Sequence, residues 1–238
     1  QLIERVAGRE DDLADALAAG VTAAAARFEG ADCDELSGEE LMPTVKAMAL
    51  PGYDPRAASG MALAYATADR GGCHRRARPI EEEVFANRTR AETVEHVADA
   101  QTARSVLWSL VADDFLGDVL RADLGATWLN AVSIDHTAAS LARTGERIWT
   151  LVRLLNARAG FHKADDELPA RLRQPRPDGE VVDAEAFEQT RAAYYAYRGW
   201  GPDGLPTQER VEALGLTETL DAETPLSSQN AVTPEGES

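Results

Sequence analysis

The stretch spanning residues 135–159 constrains the fold more than any other part of the chain. Leu141, Ile148, Leu151, Val152 and Leu155 recur there at helical intervals, and Gly160 stands where such a helix would stop. Asp135 is placed to cap its start by accepting a hydrogen bond from a first-turn amide. A helix of this length rises about 1.5 Å per residue and cannot bury its apolar stripe alone, so the chain must supply other elements to cover it. No series of alternating strand and helix patterns points to a parallel sheet. The expected class is mainly α.

The neighbouring segments agree. Leu13, Leu17, Val21, Ala24 and Phe28 predict one amphipathic helix over 11–29, closed by Gly30. A polar loop over 30–40 holds Cys33, and 41–50 reads as an extended or short-strand connection before a turn at Pro51-Gly52. Asp54 and Pro55 are a cap and a first helical position, and 57–69 carries the small, Met- and Leu-bearing pattern of a buried helix stopped by Arg70-Gly71-Gly72. A helix is predicted over 91–114 with Val94, Val97, Val106 and Leu110 inside, then a shorter segment between Gly117 and Gly125. Pro169, Pro175, Pro177 and Gly179 break regular structure before a Tyr-rich helix over 184–198 and a short one over 208–214. These divide the chain into a helical domain over 1–134, a helical region over 135–216 and an acidic tail over 217–238 expected to be disordered.

Charge excludes some functions. Against 24 basic residues stand 41 acidic ones, a net charge of −17, which disfavours non-specific binding to nucleic acid or to an anionic membrane. No run approaches the roughly 18 apolar residues of a membrane-spanning helix. Lys46 and Lys163 are the only lysines, and so acidic and lysine-poor a surface fits hydration in high salt, hence a halophilic source. Cys33 and Cys73 form no disulfide framework, and a reducing cytoplasm is the simpler setting. Leu2, Ile3 and Val6 already sit at helical spacing, so the true start of the protein is expected to lie upstream.

Chemistry concentrates after the buried helix. His74 follows Arg70-Gly71-Gly72-Cys73, where glycines permit a tight turn and place an imidazole, able to exchange protons near neutral pH, at the edge of a packed element. By pattern alone a structural histidine remains the commoner case. Arg75, Arg76 and Arg78 fit either an anionic group or mutual ion pairing with Glu81, Glu82 and Glu83. His96, His136 and His162 lie among charges, as solvated or capping residues do, and Tyr194, Tyr195 and Tyr197 read as core and interface aromatics. There is no phosphate-cradling glycine loop, zinc spacing or nucleophile elbow.

One extended pattern is more specific. Pro51-Gly52-Tyr53-Asp54-Pro55-Arg56, then Gly60-Met61-Ala62-Leu63-Ala64-Tyr65-Ala66-Thr67 and Arg70-Gly71-Gly72-Cys73-His74, resemble the aldehyde ferredoxin oxidoreductase family. Gly145-Glu146-Arg147-Ile148-Trp149, Asp165-Asp166-Glu167-Leu168-Pro169, Arg198-Gly199-Trp200 and Gly204-Leu205-Pro206-Thr207 continue the likeness in family order, from about residue 2 to 216. The resemblance implies the helical C-terminal domains 2 and 3 of an enzyme that oxidises aldehydes to carboxylic acids at a tungsten (or molybdenum) bis-pterin, passing electrons through a 4Fe-4S cluster to ferredoxin. It implies an N-terminal pterin-binding part as partner, carrying a CxxCxxxC run upstream, and allows a homodimer. It makes His74 the metal-facing histidine and Tyr53 a tyrosine of the aldehyde pocket, and puts Arg70 on the cofactor side.

The likeness departs where the family carries Asp-x-x-Gly-Leu-Cys, whose Asp contacts a pterin and whose Cys ligates the cluster. The aligned residues here are Trp108-Ser109-Leu110-Val111-Ala112-Asp113, anchored by Val106 and Phe115. Trp108 takes the pterin position and Asp113 the cluster position, where a carboxylate is a harder and poorer ligand than a thiolate. The alternative is therefore a non-catalytic remnant or helical interaction subunit that has lost cluster ligation.

Overall fold

The computed structural model describes residues 1–27, 38–79, 83, 85–113 and 122–229. Three short helices open the chain, α1 (Leu2–Gly8), α2 (Asp12–Ala18) and α3 (Val21–Arg27), the last two in place of the single helix predicted over 11–29. Gly20, at φ +93°, makes the break, and Asp11 caps α2 by accepting from the Ala14 amide at 2.9 Å. The buried side chains are Ala14, Ala16, Ala24 and Ala25, whereas Leu13 and Leu17 are exposed. Phe28 and Cys33 lie outside the described residues.

After α4 (Gly38–Leu41), strands β1 (Thr44–Val45) and β2 (Met48–Ala49) pair antiparallel, with Thr44 opposite Ala49 and Val45 opposite Met48. Lys46 and Ala47 turn the hairpin with φ of +49° and +61°, left-handed backbone that matches strand twist but is costly for residues with a Cβ. Asp54 caps a 3-10 turn (Pro55–Ala57), its carboxylate accepting from the Arg56 amide at 3.0 Å, and α5 (Ser59–Thr67) follows. That helix is shorter than the predicted 57–69 and is buried on every side from Gly60 to Thr67. Burying Met61 and Leu63 contributes about 1.5–3 kcal/mol each.

α6 (Arg90–Ser109) starts at a capping box in which Thr89 and Glu92 satisfy each other's amides. It ends before the predicted 114 because Val111 adopts φ +57°. Short α7 (Ala126–Ala131) follows Gly125, the first part of the predicted 117–125 segment lying outside the described residues. α8 (Ala138–Arg158) is the predicted long helix, but Thr137 rather than Asp135 caps it, accepting from the Ser140 amide at 3.1 Å. Its buried face is Leu141, Gly145, Trp149, Arg153, Leu154 and Ala157, and Leu151 and Leu155 face solvent. α9 (Ala184–Arg198) has the predicted bounds, fixed by the Asp183 cap and by Gly199 at φ +69°. α10 (Gln208–Ala213) is capped by Thr207.

α5 lies at the centre against α6 and α9, and α8 packs along α6. The α6–α8 approach is close: a Cβ on Gly145 would stand 2.4 Å from the Thr102 carbonyl oxygen. Trp149 Nε1 donates to the Tyr194 hydroxyl at 2.9 Å, that hydroxyl donates to Gln101 Oε1 at 2.6 Å, and Gln101 Nε2 donates to Thr67 Oγ1 at 3.1 Å. This buried chain of hydrogen bonds ties all four helices, and elements on both sides of residue 134 share one core. Residues 217–229, expected to be disordered, are instead folded back. Ser227 donates its amide to Pro206 O at 3.0 Å, and Leu220 and Leu226 pack on Leu154, Val211 and Leu214. Residues 230–238 lie outside the described ones. Among the described residues no helix is long and apolar enough to cross a membrane.

Candidate functional site

The chain leaving α5 is clamped against the hairpin. Gly71 has φ +109°, and a Cβ there would stand 2.5 Å from the Val45 carbonyl oxygen, which itself accepts from the Gly72 amide at 3.3 Å. Only glycine meets both demands at position 71. The turn so held presents Cys73, His74, Arg75 and Arg76 in succession, with the Cys73 thiol buried and free.

His74 is half-buried, and its ring lies 5.3 Å from that of Tyr53, the planes at 42°. The Tyr53 backbone is anchored by the Tyr65 hydroxyl, which donates to its carbonyl at 3.0 Å while the Tyr53 side chain stays exposed. Burial pushes the Tyr65 phenol well above its ordinary range, so it remains a donor at any working pH. The two residues that sequence marks as catalytic are thus brought together, one fixed by a glycine clamp and the other by the end of a buried helix.

The remaining marked residues meet elsewhere. Arg70, Trp108 and Asp113 line one cavity of about 300 Å³ together with Arg75 and Arg76. Arg76 lies over the Trp108 ring with its guanidinium carbon 4.1 Å from the ring centre, and its Nε is 2.7 Å from Asp69 Oδ1. Arg70 donates to Cys73 Sγ at 3.0 Å. Arg78 parts from its neighbours and lines a second cavity with His96 and Asp99. Among the described residues no group of three or more His, Cys, Asp or Glu side chains is placed to hold a metal ion. His162 caps a 3-10 turn (Lys163–Asp165), while Tyr194 and Tyr195 are core and Tyr197 is half-exposed.

Beneath the clamp lies a group that sequence reasoning missed. Asp166, fully buried, receives Lys46 Nζ at 2.7 Å, Arg153 at 2.9 Å and the Tyr195 hydroxyl at 2.6 Å. Burial raises the Asp166 carboxyl, but the Arg153 and Lys46 charges outweigh it and hold the group below its ordinary value. Burial lowers the Lys46 ammonium, with Asp166 opposing. Lys46 belongs to the same hairpin turn as Val45, so this ion group helps hold the strand on which the His74 turn rests. The available signal was that Lys46 is one of only two lysines in so acidic a chain.

With this geometry in hand, comparison with known proteins is specific. The sequence pattern of the family described as "Aldehyde ferredoxin oxidoreductase, domains 2 & 3" matches residues 1–216. A protein of Pyrococcus furiosus named "Tungsten-containing aldehyde ferredoxin oxidoreductase" is 36% identical over 75% of this chain and 31% of its own length. Its namesake from Thermococcus kodakarensis is 35% identical over 92% of this chain and 36% of its own length. The chain therefore spans about a third of these relatives. Among solved structures, a chain of the active site complex BamBC of benzoyl coenzyme A reductase in complex with 1,5-dienoyl-CoA superposes with a TM-score of 0.65. It is 19% identical over 91% of this chain and 38% of that one, a likeness of fold.

Proposed function

The chain belongs to the aldehyde ferredoxin oxidoreductase family, and on that premise we propose that it is the helical C-terminal part of an oxidoreductase that oxidises aldehydes to carboxylic acids at a tungsten–pterin centre. It would work with the pterin-bearing remainder of the enzyme and with ferredoxin as electron acceptor, inside the cell, where a free buried Cys73 fits a reducing compartment. The observation that carries the reading is the His74–Tyr53 pair, seated where a rigid clamp meets a half-exposed surface.

When bound, a tungsten–pterin group supplies the redox chemistry, accepting the two electrons released as an aldehyde and water become a carboxylic acid. This chain's residues supply the rest. The Tyr53 hydroxyl donates a hydrogen bond to the aldehyde oxygen and orients it. A ring nitrogen of His74 takes the proton released as the water oxygen enters the product. The tilted packing of the two rings limits the rotation of both, which keeps donor and acceptor in register. Arg70 and Trp108, on a cavity that Arg75 and Arg76 also line among the described residues, fit the anionic side of a pterin cofactor and would hold it there.

The residues present do not fit a 4Fe-4S cluster. Asp113 stands where the resemblance places a thiolate, its cavity neighbours are Arg70, Arg75 and Arg76, and the described thiol, Cys73, is buried against Arg70. No electron step is assigned to a cluster held by this chain. The same departure favours a second reading, a helical subunit without catalysis. An assembly with the pterin-bearing part decides between them. His74→Ala should lower kcat at least about a hundredfold, the lower range for a lost general base, with unchanged circular dichroism. Tyr53→Phe should act mainly on KM. Unchanged turnover in His74→Ala overturns the catalytic assignment.

A further inference from the structure

Asp166 has more positive charge around it than its own charge requires. Arg153 alone grips it with both prongs of the guanidinium, Nη1 at 3.1 Å from Oδ1 and Nη2 at 2.9 Å from Oδ2, and the Tyr195 hydroxyl donates to Oδ2 at 2.6 Å. A carboxylate held in this way is neutralised and both its oxygens are hydrogen-bonded. Lys46 adds a second cation 2.7 Å from Oδ1, its side chain only 3% exposed. Taking an ammonium out of water is costly, and the residue also holds left-handed backbone at φ +49°. Charge balance at Asp166 accounts for neither.

The other acceptor of Lys46 accounts for both. Its ammonium also donates to the Ala66 carbonyl oxygen, in the last turn of α5. The neighbouring residue, Tyr65, donates its hydroxyl to the Tyr53 carbonyl at 3.0 Å. One turn of α5 therefore anchors both members of the site. Tyr53 is held directly through Tyr65. His74 is held through the hairpin that Lys46 ties down, whose Val45 carbonyl accepts from the Gly72 amide at 3.3 Å and leaves no room for a Cβ at Gly71. We propose that Lys46 is a positioning residue for the His74–Tyr53 pair: it ties the hairpin to the end of α5 so that the two rings share one reference, and Asp166 holds its ammonium in place. This rests on the reading of that pair as the place of aldehyde oxidation, but the positioning itself is measurable without turnover.

Lys46→Met and Arg153→Met each remove one cation from Asp166 and leave the other paired with it, and only the first unties α5 from the hairpin. In the 238-residue chain, the Gly72 amide should exchange its hydrogen about tenfold faster in Lys46→Met, the net worth of about one buried hydrogen bond, while amides of α9 exchange as before. The ring protons of His74, assigned among the four histidines by the signals missing from His74→Gln, should lose the ring-current displacement that Tyr53 imposes and move to where they stand in Tyr53→Leu. Arg153→Met should leave both measurements at their wild-type values. In the assembly with the pterin-bearing part, Lys46→Met should lower kcat about tenfold or more at unchanged KM, because the base is misplaced while Tyr53 keeps its own anchor. Unmoved His74 signals in Lys46→Met, equal changes in the two variants, or a Lys46→Met chain that does not fold would overturn the positioning role. Displaced signals with undiminished turnover would leave that role standing and count against His74 as the catalytic base.

Discussion

Two places in this molecule gather arginine around a carboxylate, and they differ in what surrounds them. At Asp166 the charges of Lys46 and Arg153 are sealed in protein, and the Tyr195 hydroxyl completes the carboxylate's shell. At Asp113 the arginines border an open cavity and include exposed residues. Sealing means that each charge is answered by another part of the fold, so the group contributes to which structure forms. Openness leaves charges in contact with solvent, which screens them, so the group contributes little to which structure forms. The same residue types are sealed into the core in one place and left at the surface in the other, and burial decides how much stability each contributes.

The sharpest way to break that contrast is Asp166→Ala. It leaves two buried cations unanswered and should cost about 3–5 kcal/mol in denaturant unfolding, whereas Asp113→Ala should cost about 0.5 kcal/mol or less. Comparable losses at the two positions would erase the distinction. Gly145→Val comes next. Its Cβ would press on the Thr102 carbonyl, forcing α6 and α8 apart at about 1–3 kcal/mol, a penalty that reports on the shared core rather than on either charge group.

Acid titration gives a smaller effect with a definite sign. The folded Asp166 carboxyl ionises below its unfolded value of about 3.9, so its contribution is present above about pH 4 and is lost as pH falls through the folded value. The thermal midpoint should fall below pH 4, and Asp166→Asn should flatten that limb. An equal acid slope in the variant would remove Asp166 as its source. Smallest of all, Arg75→Ala should change stability by about 0.5 kcal/mol or less, the expected behaviour of an exposed residue.

How far these features were legible in sequence follows the same line. α9 was readable to the residue because Asp183 and Gly199 punctuate it, and the buried α5 because an unbroken run of small and apolar residues has nowhere else to go. The burial of α8 was misread. Its inner face is built partly from Gly145, Arg153 and Ala157, which carry little hydropathy signal, while Leu151 and Leu155 point to solvent. The helix predicted over 11–29 failed at Gly20, whose positive φ is invisible to periodicity. The tail was expected to be disordered from its acidity, yet Leu220 and Leu226 supply enough apolar contact to fold it back through residue 229.

In the site, resemblance marked five residues and the fold sorted them into two groups, Tyr53 with His74 and Arg70 with Trp108 and Asp113. That sorting needs the third dimension, because the second group joins a turn to a helix end far away in sequence. The Lys46–Asp166–Arg153 group escaped for the same reason. Each member reads as a surface charge until its partners are seen.

The most direct test of the functional account is an anaerobic assay of the chain assembled with its pterin-bearing part, following aldehyde-dependent reduction of a viologen dye alongside tungsten content. The account predicts bound tungsten and dye reduction that requires aldehyde and vanishes in His74→Ala. A folded assembly that holds no tungsten and reduces no dye when aldehyde is added would contradict it.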